Sequence, residues 1–206
     1  MLFSKEDLRK LIVPLVIEQL LAVTIGMADT MMVANVGEAA VSGVSLVDSL
    51  NILLIQIFSA LATGGAVVAS QYLGRQDREN ACGAAKQLVY ACAAISILVG
   101  GLAMLGGKHL LSLIFGAVEP DVMRNAETYF WLSALSYPAL AIYNAGAALF
   151  RSMSNSRVSM MTSIAMNLVN ISGNAILIYV FNMGVAGAGL ASLVSRILGA
   201  VVMMVL

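Results

Sequence analysis

The chain has 206 residues, of which 60% are hydrophobic and 11% charged, and its formal net charge is zero. A soluble domain carries about 25% charged residues, so a mean hydropathy of +0.93 excludes a globule dispersed in water and makes the bilayer the solvent. There is no basic excess to recruit nucleic acid, and Cys82 and Cys92 match no metal or redox spacing.

Six apolar stretches reach the roughly 20 residues that a helix needs to cross about 30 Å of hydrocarbon. Lipid leaves backbone groups no partner outside the segment, and these runs lack the alternation of barrel strands, so each is predicted as a helix. The first, 11–35, is too long for a signal-peptide core. It carries Pro14 near its start, Glu18 near the membrane midplane and Asp29 in its outer third, at about 1.5 Å of rise per residue. The second, 42–71, holds Asp48 about two turns from its outer start. The third spans 84–107, and the longer break from Lys108 to Asp121 is predicted to hold a short interfacial helix at 110–115. The fourth, 127–150, opens on an aromatic belt of Tyr129, Phe130 and Trp131. The fifth, 158–181, presents Asn167, Asn170 and Asn174 along one seam. A tight turn at Asn182-Met183-Gly184 leads to the sixth, 185–206, with Arg196 about as deep as Glu18. The last apolar run is barely long enough to span, as a fragment or one half of a duplicated transporter would end.

With the amino terminus inside, Lys5, Arg9, Lys10, Arg75, Arg78, Lys86, Arg151 and Arg157 lie on the cytoplasmic side, against Lys108 and Arg124 outside. The positive-inside rule therefore predicts a multi-pass protein of the cell membrane with both termini cytoplasmic.

Ionisable groups at membrane depth are costly unless paired or facing water, and so mark candidate sites. Glu18 and Arg196 have comparable depth and are predicted to pair, as a strut or as a gate. Asp29, Asn170 and Asn174 reach a common depth and offer oxygens that suit Na⁺ or a proton; the competing reading has the asparagines as interhelical glue. Asn167 belongs to the same seam, and Asp48 either approaches this region or lines a vestibule. The chain has no HExxH, no paired aspartate-rich motif and no serine nucleophile elbow, so it is not read as an enzyme, and no cofactor beyond a coupling ion is expected.

Pro14-Leu-Val-Ile-Glu18-Gln19-Leu20-Leu21 and Gly26-Met-Ala-Asp29-Thr30-Met-Met-Val33 resemble the first helix of the multidrug and toxic compound extrusion (MATE) family. Gly64-Gly65 with Ser70-Gln71-Tyr72-Leu73-Gly74-Arg75-Gln76-Asp77 is similar to the end of its second helix. Asn167-Leu-Val-Asn170-Ile-Ser-Gly-Asn174, Gly184-Val-Ala-Gly187-Ala-Gly189 and Ala191-Ser-Leu-Val-Ser195-Arg196 resemble its fifth and sixth. The resemblance implies an all-α integral membrane fold, with this chain as one six-helix lobe of a twelve-helix transporter and the second lobe absent. It implies export of cationic or amphipathic drugs by exchange with Na⁺ or H⁺, with Asp29 as the coupling residue assisted by Asn170 and Asn174. Some family members carry a second carboxylate where this chain has Asn174. The expected partners are the bilayer, a small-molecule drug, and the missing lobe or a second copy. Rival readings are a flippase of lipid-linked saccharides and a non-transporting membrane scaffold.

Overall fold

The computed structural model describes residues 5–116 and 118–206. Its elements are α1 (Lys5–Ala34), α2 (Glu38–Gly74), α3 (Arg78–Phe115), α4 (Pro120–Ser152), α5 (Ser156–Asn174), a π-helical segment that continues α5 (Ala175–Val180), and α6 (Gly184–Val205), with no strand among the described residues. The helices outrun the predicted spans because the apolar stretches mark only what sits in hydrocarbon, whereas helical bonding continues into the polar ends. The expected separate helix at 110–115 is instead the end of α3, which runs unbroken through Gly106 and Gly107. Pro14 lies inside α1 and does not start it. The side chains of Lys5 and Lys10, counted above as cytoplasmic, lie outside the described residues.

Among the described residues five helices are long and apolar enough to cross a membrane, which makes this a multi-pass membrane protein. The exception is α4, and its position explains why. It packs against α2, α3 and α6, so its Tyr129, Ser133, Ser136 and Tyr137 are buried among helices. A helix shielded on several sides needs less apolar surface than one facing lipid. The outer helices show the converse, with Leu20, Val23, Met27 and Met31 of α1 and Leu98, Leu102 and Leu105 of α3 exposed. Around α4 the others follow in a chain of contacts, α6 with α5 and α5 with α1.

Helix ends carry the expected chemistry. Gln76, Ser154 and Asn182 adopt left-handed backbone conformations that close three of the helix connections. Asp77 caps α3, accepting from the Asn80 backbone N–H at 3.2 Å and its side-chain amide at 2.7 Å. These hydrogen bonds, the side-chain one foremost, hold the Asp77 carboxyl below the usual carboxylate range.

Small residues set the helix spacing where α4 is most closely approached. A Cβ on Gly43 of α2 would lie 2.8 Å from the Val122 carbonyl oxygen and 2.9 Å from the Ala126 nitrogen, both backbone atoms of α4. Gly64 on the same helix has open space. Helix propensity alone favours alanine over glycine by about 1 kcal/mol, whereas overpacking costs about 1–3 kcal/mol. Gly43→Ala is therefore expected to lower the thermal unfolding midpoint in detergent, and Gly64→Ala to leave it unchanged or raise it.

Candidate functional site

Along α1 the residues Glu18, Ala22, Ile25 and Asp29 recur at helical spacing on one face; Glu18 and Asp29 are buried in the bundle, Ile25 is half-buried and Ala22 exposed, while Leu20, Val23, Met27 and Met31 turn outward. Asp29 is 3% exposed and receives hydrogen bonds from two other helices. The Asn174 amide of α5 donates to Oδ1. The Ser192 hydroxyl of α6 donates to Oδ2 at 3.2 Å. Asn170 completes the nest, donating from Nδ2 to Ser192 Oγ at 3.0 Å and accepting from Asn174 Nδ2 at 3.4 Å through its own Oδ1. Asn170 and Asn174 are fully buried, and the buried Oδ1 of Asn174 has no donor among the described residues.

The nest therefore gathers one carboxylate, two carboxamide oxygens and a hydroxyl, all hard donors of the kind that Na⁺ takes. A proton on the carboxylate would neutralise the same charge. Directly beyond Asn174 the helix switches to π-type winding, Ala175–Val180. Such turns widen the backbone and recur at functional sites.

The other predicted residues are placed as follows. Asn167 makes no hydrogen bond to Asp29 among the described residues: its amide donates to the Ser163 carbonyl at 2.9 Å and its buried Oδ1 has no donor. Asp48 is half-buried and accepts from Asn51 at 3.3 Å; Asn51 in turn donates to Ser133 at 3.2 Å and accepts from Tyr137 at 3.0 Å. Asp48 thus belongs to an α2–α4 cluster that shares no hydrogen bond with the nest among the described residues. It lines a recess of about 700 Å³ between α1 and α2, together with Met27, Met31, Ile52, Ile55 and Gln56.

The expected Glu18–Arg196 pair does not form. Glu18 pairs with Arg151 of α4 at 3.1 Å, and also accepts from Tyr143 at 3.2 Å and from Ser159 of α5 at 2.9 Å. Arg196 donates instead to Ser136 at 2.6 Å. Equal depth was the argument for that pair, and depth leaves the direction in which a side chain points undetermined. Arg151, assigned to a cytoplasmic connection, sends its long side chain inward, as a guanidinium on a flexible stem can. Sequence reasoning also missed Ser192, Tyr143 and Ser159. Ser192 lies four residues before Arg196, a helical spacing that was the available hint.

The MatE family model matches residues 14–176. The uncharacterized transporter YisQ of Bacillus subtilis is 28% identical over 199 residues, covering 94% of this chain and 43% of that protein. A probable multidrug resistance protein NorM of Thermotoga maritima is 25% identical over 200 residues, again covering 43% of its length. Among solved structures, a crystal structure of MATE in the bent conformation superposes with a TM-score of 0.90 at 18% identity, over 97% of this chain and 44% of that one. This chain therefore spans less than half the length of the relatives it matches.

The observed pairing has a direct thermodynamic test. A double-mutant cycle of Glu18→Gln with Arg151→Gln is expected to give a coupling of about 1–3 kcal/mol, while the cycle with Arg196→Gln gives less than about 0.5 kcal/mol. Thermal or denaturant unfolding in detergent provides the readout.

Proposed function

Because this chain belongs to the MatE family, we propose that it is one lobe of a secondary active antiporter that exports cationic or amphipathic drugs in exchange for Na⁺ or H⁺. The buried Asp29 nest carries the reading. The carboxylate is enclosed by three helices, and among the described residues no Lys or Arg is bonded to it, so an arriving small cation or proton is the natural counter-charge. Binding there removes a negative charge from the junction of α1, α5 and α6. A ligand shifts a conformational equilibrium only by its different affinity for the two states, and a change of charge at a helix junction supplies such a difference.

The recess between α1 and α2 is the half-cleft that this lobe offers to drug. Its methionine and isoleucine walls suit varied apolar shapes, and Asp48 supplies one negative charge for a cationic head. The rest of the cleft comes from a second lobe, in keeping with a chain that spans 43% of its relatives. The Thermotoga maritima relative is called a probable multidrug resistance protein, which favours drugs as the cargo. A saccharide-phosphate flippase would want basic residues in this cleft, and the described residues lining it include none. A scaffold has no use for an ion-binding nest. Arg75, Arg78, Arg151 and Arg157 sit at the helix ends nearest the two termini, and the positive-inside rule supports a cytoplasmic side for that end. No organic cofactor enters the scheme.

In the protein carrying both lobes, Asp29→Asn is expected to raise accumulation of a cationic dye in exporter-deficient cells to the level of cells without the transporter, at unchanged membrane expression. Export that survives this substitution would remove Asp29 from the coupling step.

A further inference from the structure

We propose that Glu18 is a second cation-accepting station, which receives the coupling cation after it leaves Asp29 and passes it to the end of the lobe that carries both termini. The inference rests on the coupling role read for Asp29 and adds a way out.

Glu18 and Asp29 are eleven residues apart on α1, which is about three turns, so they share a face and stand about 16 Å apart along the axis. A cavity of about 180 Å³ lies on that face, with Glu18, Ala22, Asn144, Ser163, Ser192 and Ser195 among its lining residues. Ser192 is the link at the upper end, because the hydroxyl that lines this cavity also donates to Asp29 Oδ2 at 3.2 Å. Glu18 closes the lower end. Between them the walls offer hydroxyls and a carboxamide, and the buried Nδ2 of Asn144 has no partner among the described residues. Ile25, Ile55, Leu140 and Met166 line the rest of this partly open cavity, whose polar groups and volume admit several water molecules, enough to carry a proton or to hydrate a small cation between the two carboxylates.

The groups facing Glu18 define how it would work. Arg151 and Tyr143 of α4 and Ser159 of α5 bind it directly, Arg196 of α6 stands on the cavity wall, and α2 contributes the uncharged Gln56 and Ser59. Glu18 is 7% exposed. Arg151 lies one residue before the end of α4 with its side chain 22% exposed. The guanidinium can therefore leave toward water while the carboxylate cannot. An incoming cation takes the place of Arg151 on Glu18 and departs toward the water that this end of α4 faces. Arg196, tied to Ser136 at 2.6 Å, keeps a fixed positive charge on the wall that disfavours a cation lingering midway. A purely structural strut has no need of this arrangement, because apolar side chains hold helices together as well as a buried ion pair does.

The test uses the protein with both lobes, purified and reconstituted in proteoliposomes. Substrate transport is driven by a proton gradient alone or a Na⁺ gradient alone, and the arm that drives the parent protein identifies the cation. Binding of that cation in detergent is measured in parallel. Glu18→Gln is expected to lower gradient-driven transport about tenfold or more, with Asp29-dependent cation binding still present. Arg151→Gln breaks the same ion pair but leaves the station in place, and is expected to keep at least about a third of the transport. Equal losses in the two variants would make Glu18 a strut and overturn the proposal, as would parental transport by Glu18→Gln. If Glu18→Gln does not fold, Arg151→Gln decides alone: retained transport supports the station, and a loss of about tenfold overturns it. Gradient-driven transport that persists in Asp29→Asn would instead defeat the coupling reading, and the station with it.

Discussion

A carboxylate inside a bilayer must find its hydrogen-bond donors within the protein, because lipid supplies none. Asp29 finds one donor on α5 and another on α6. That requirement ties α1 to two helices distant from it in sequence. It also turns the Asn174 amide and the Ser192 hydroxyl onto a single carboxylate, and among the described residues the Asn174 carbonyl oxygen has no donor. The nest is therefore a structural joint and a polar pocket at once. Its incomplete satisfaction is local, since Asn170 next to it uses both its amide and its carbonyl.

Glu18 gives α1 a second joint nearer its start, this time to α4 and α5. Between the two anchors α1 carries the half-buried Ile25 and the exposed Ala22, and its outward residues are mostly apolar, with Gln19 and Thr24 among them. A helix held by polar contacts at two heights and by apolar packing elsewhere is sensitive to the charge at either height. Changing one carboxylate alters one joint and leaves the other in place. α2 differs in kind: its Asp48 is bound to Asn51 of the same helix, and Asn51 is fixed to Ser133 and Tyr137 of α4. The carboxylate at the recess thus belongs to the α2–α4 frame, and the carboxylate of the nest belongs to the α1–α5–α6 frame.

The helical architecture was legible in the sequence because length and hydropathy are linear properties, and lipid allows helices few alternatives. The grouping of Asp29 with Asn170 and Asn174 was legible for a related reason: two asparagines four apart must share a face, and a common depth then brings the aspartate within reach. What failed was rotation about the helix axis. Glu18 and Arg196 have similar heights and line the same cavity, yet each turns to a different partner. Arg151 was hidden by a second effect. It sits at a helix end where a charge is expected to face water, and only tertiary packing shows that its guanidinium folds back to a carboxylate. The π-helical turn after Asn174 left no mark in residue type, since Ala-Ile-Leu-Ile-Tyr-Val is an ordinary apolar run.

α4 shows why hydropathy, so effective for the other five helices, understates the inner one. Its polar side chains are where the frames of the lobe meet. Ser133 takes the hydrogen bond of Asn51 from α2, and Ser136 takes that of Arg196 from α6 while donating to the Ser133 carbonyl at 2.7 Å. One helical turn of α4 therefore stands between the cluster of Asp48 and the helix that supplies Ser192 to Asp29. These serines are nearly or fully inaccessible, so each hydrogen bond forgone there leaves a polar group unsatisfied in a dry interior, at a cost of about 1–3 kcal/mol. Movement of α6 relative to α4 must either carry this turn along or exchange its partners. The polarity that lowers the hydropathy of α4 is thus the same feature that makes it the rigid reference against which α1, α5 and α6 are held.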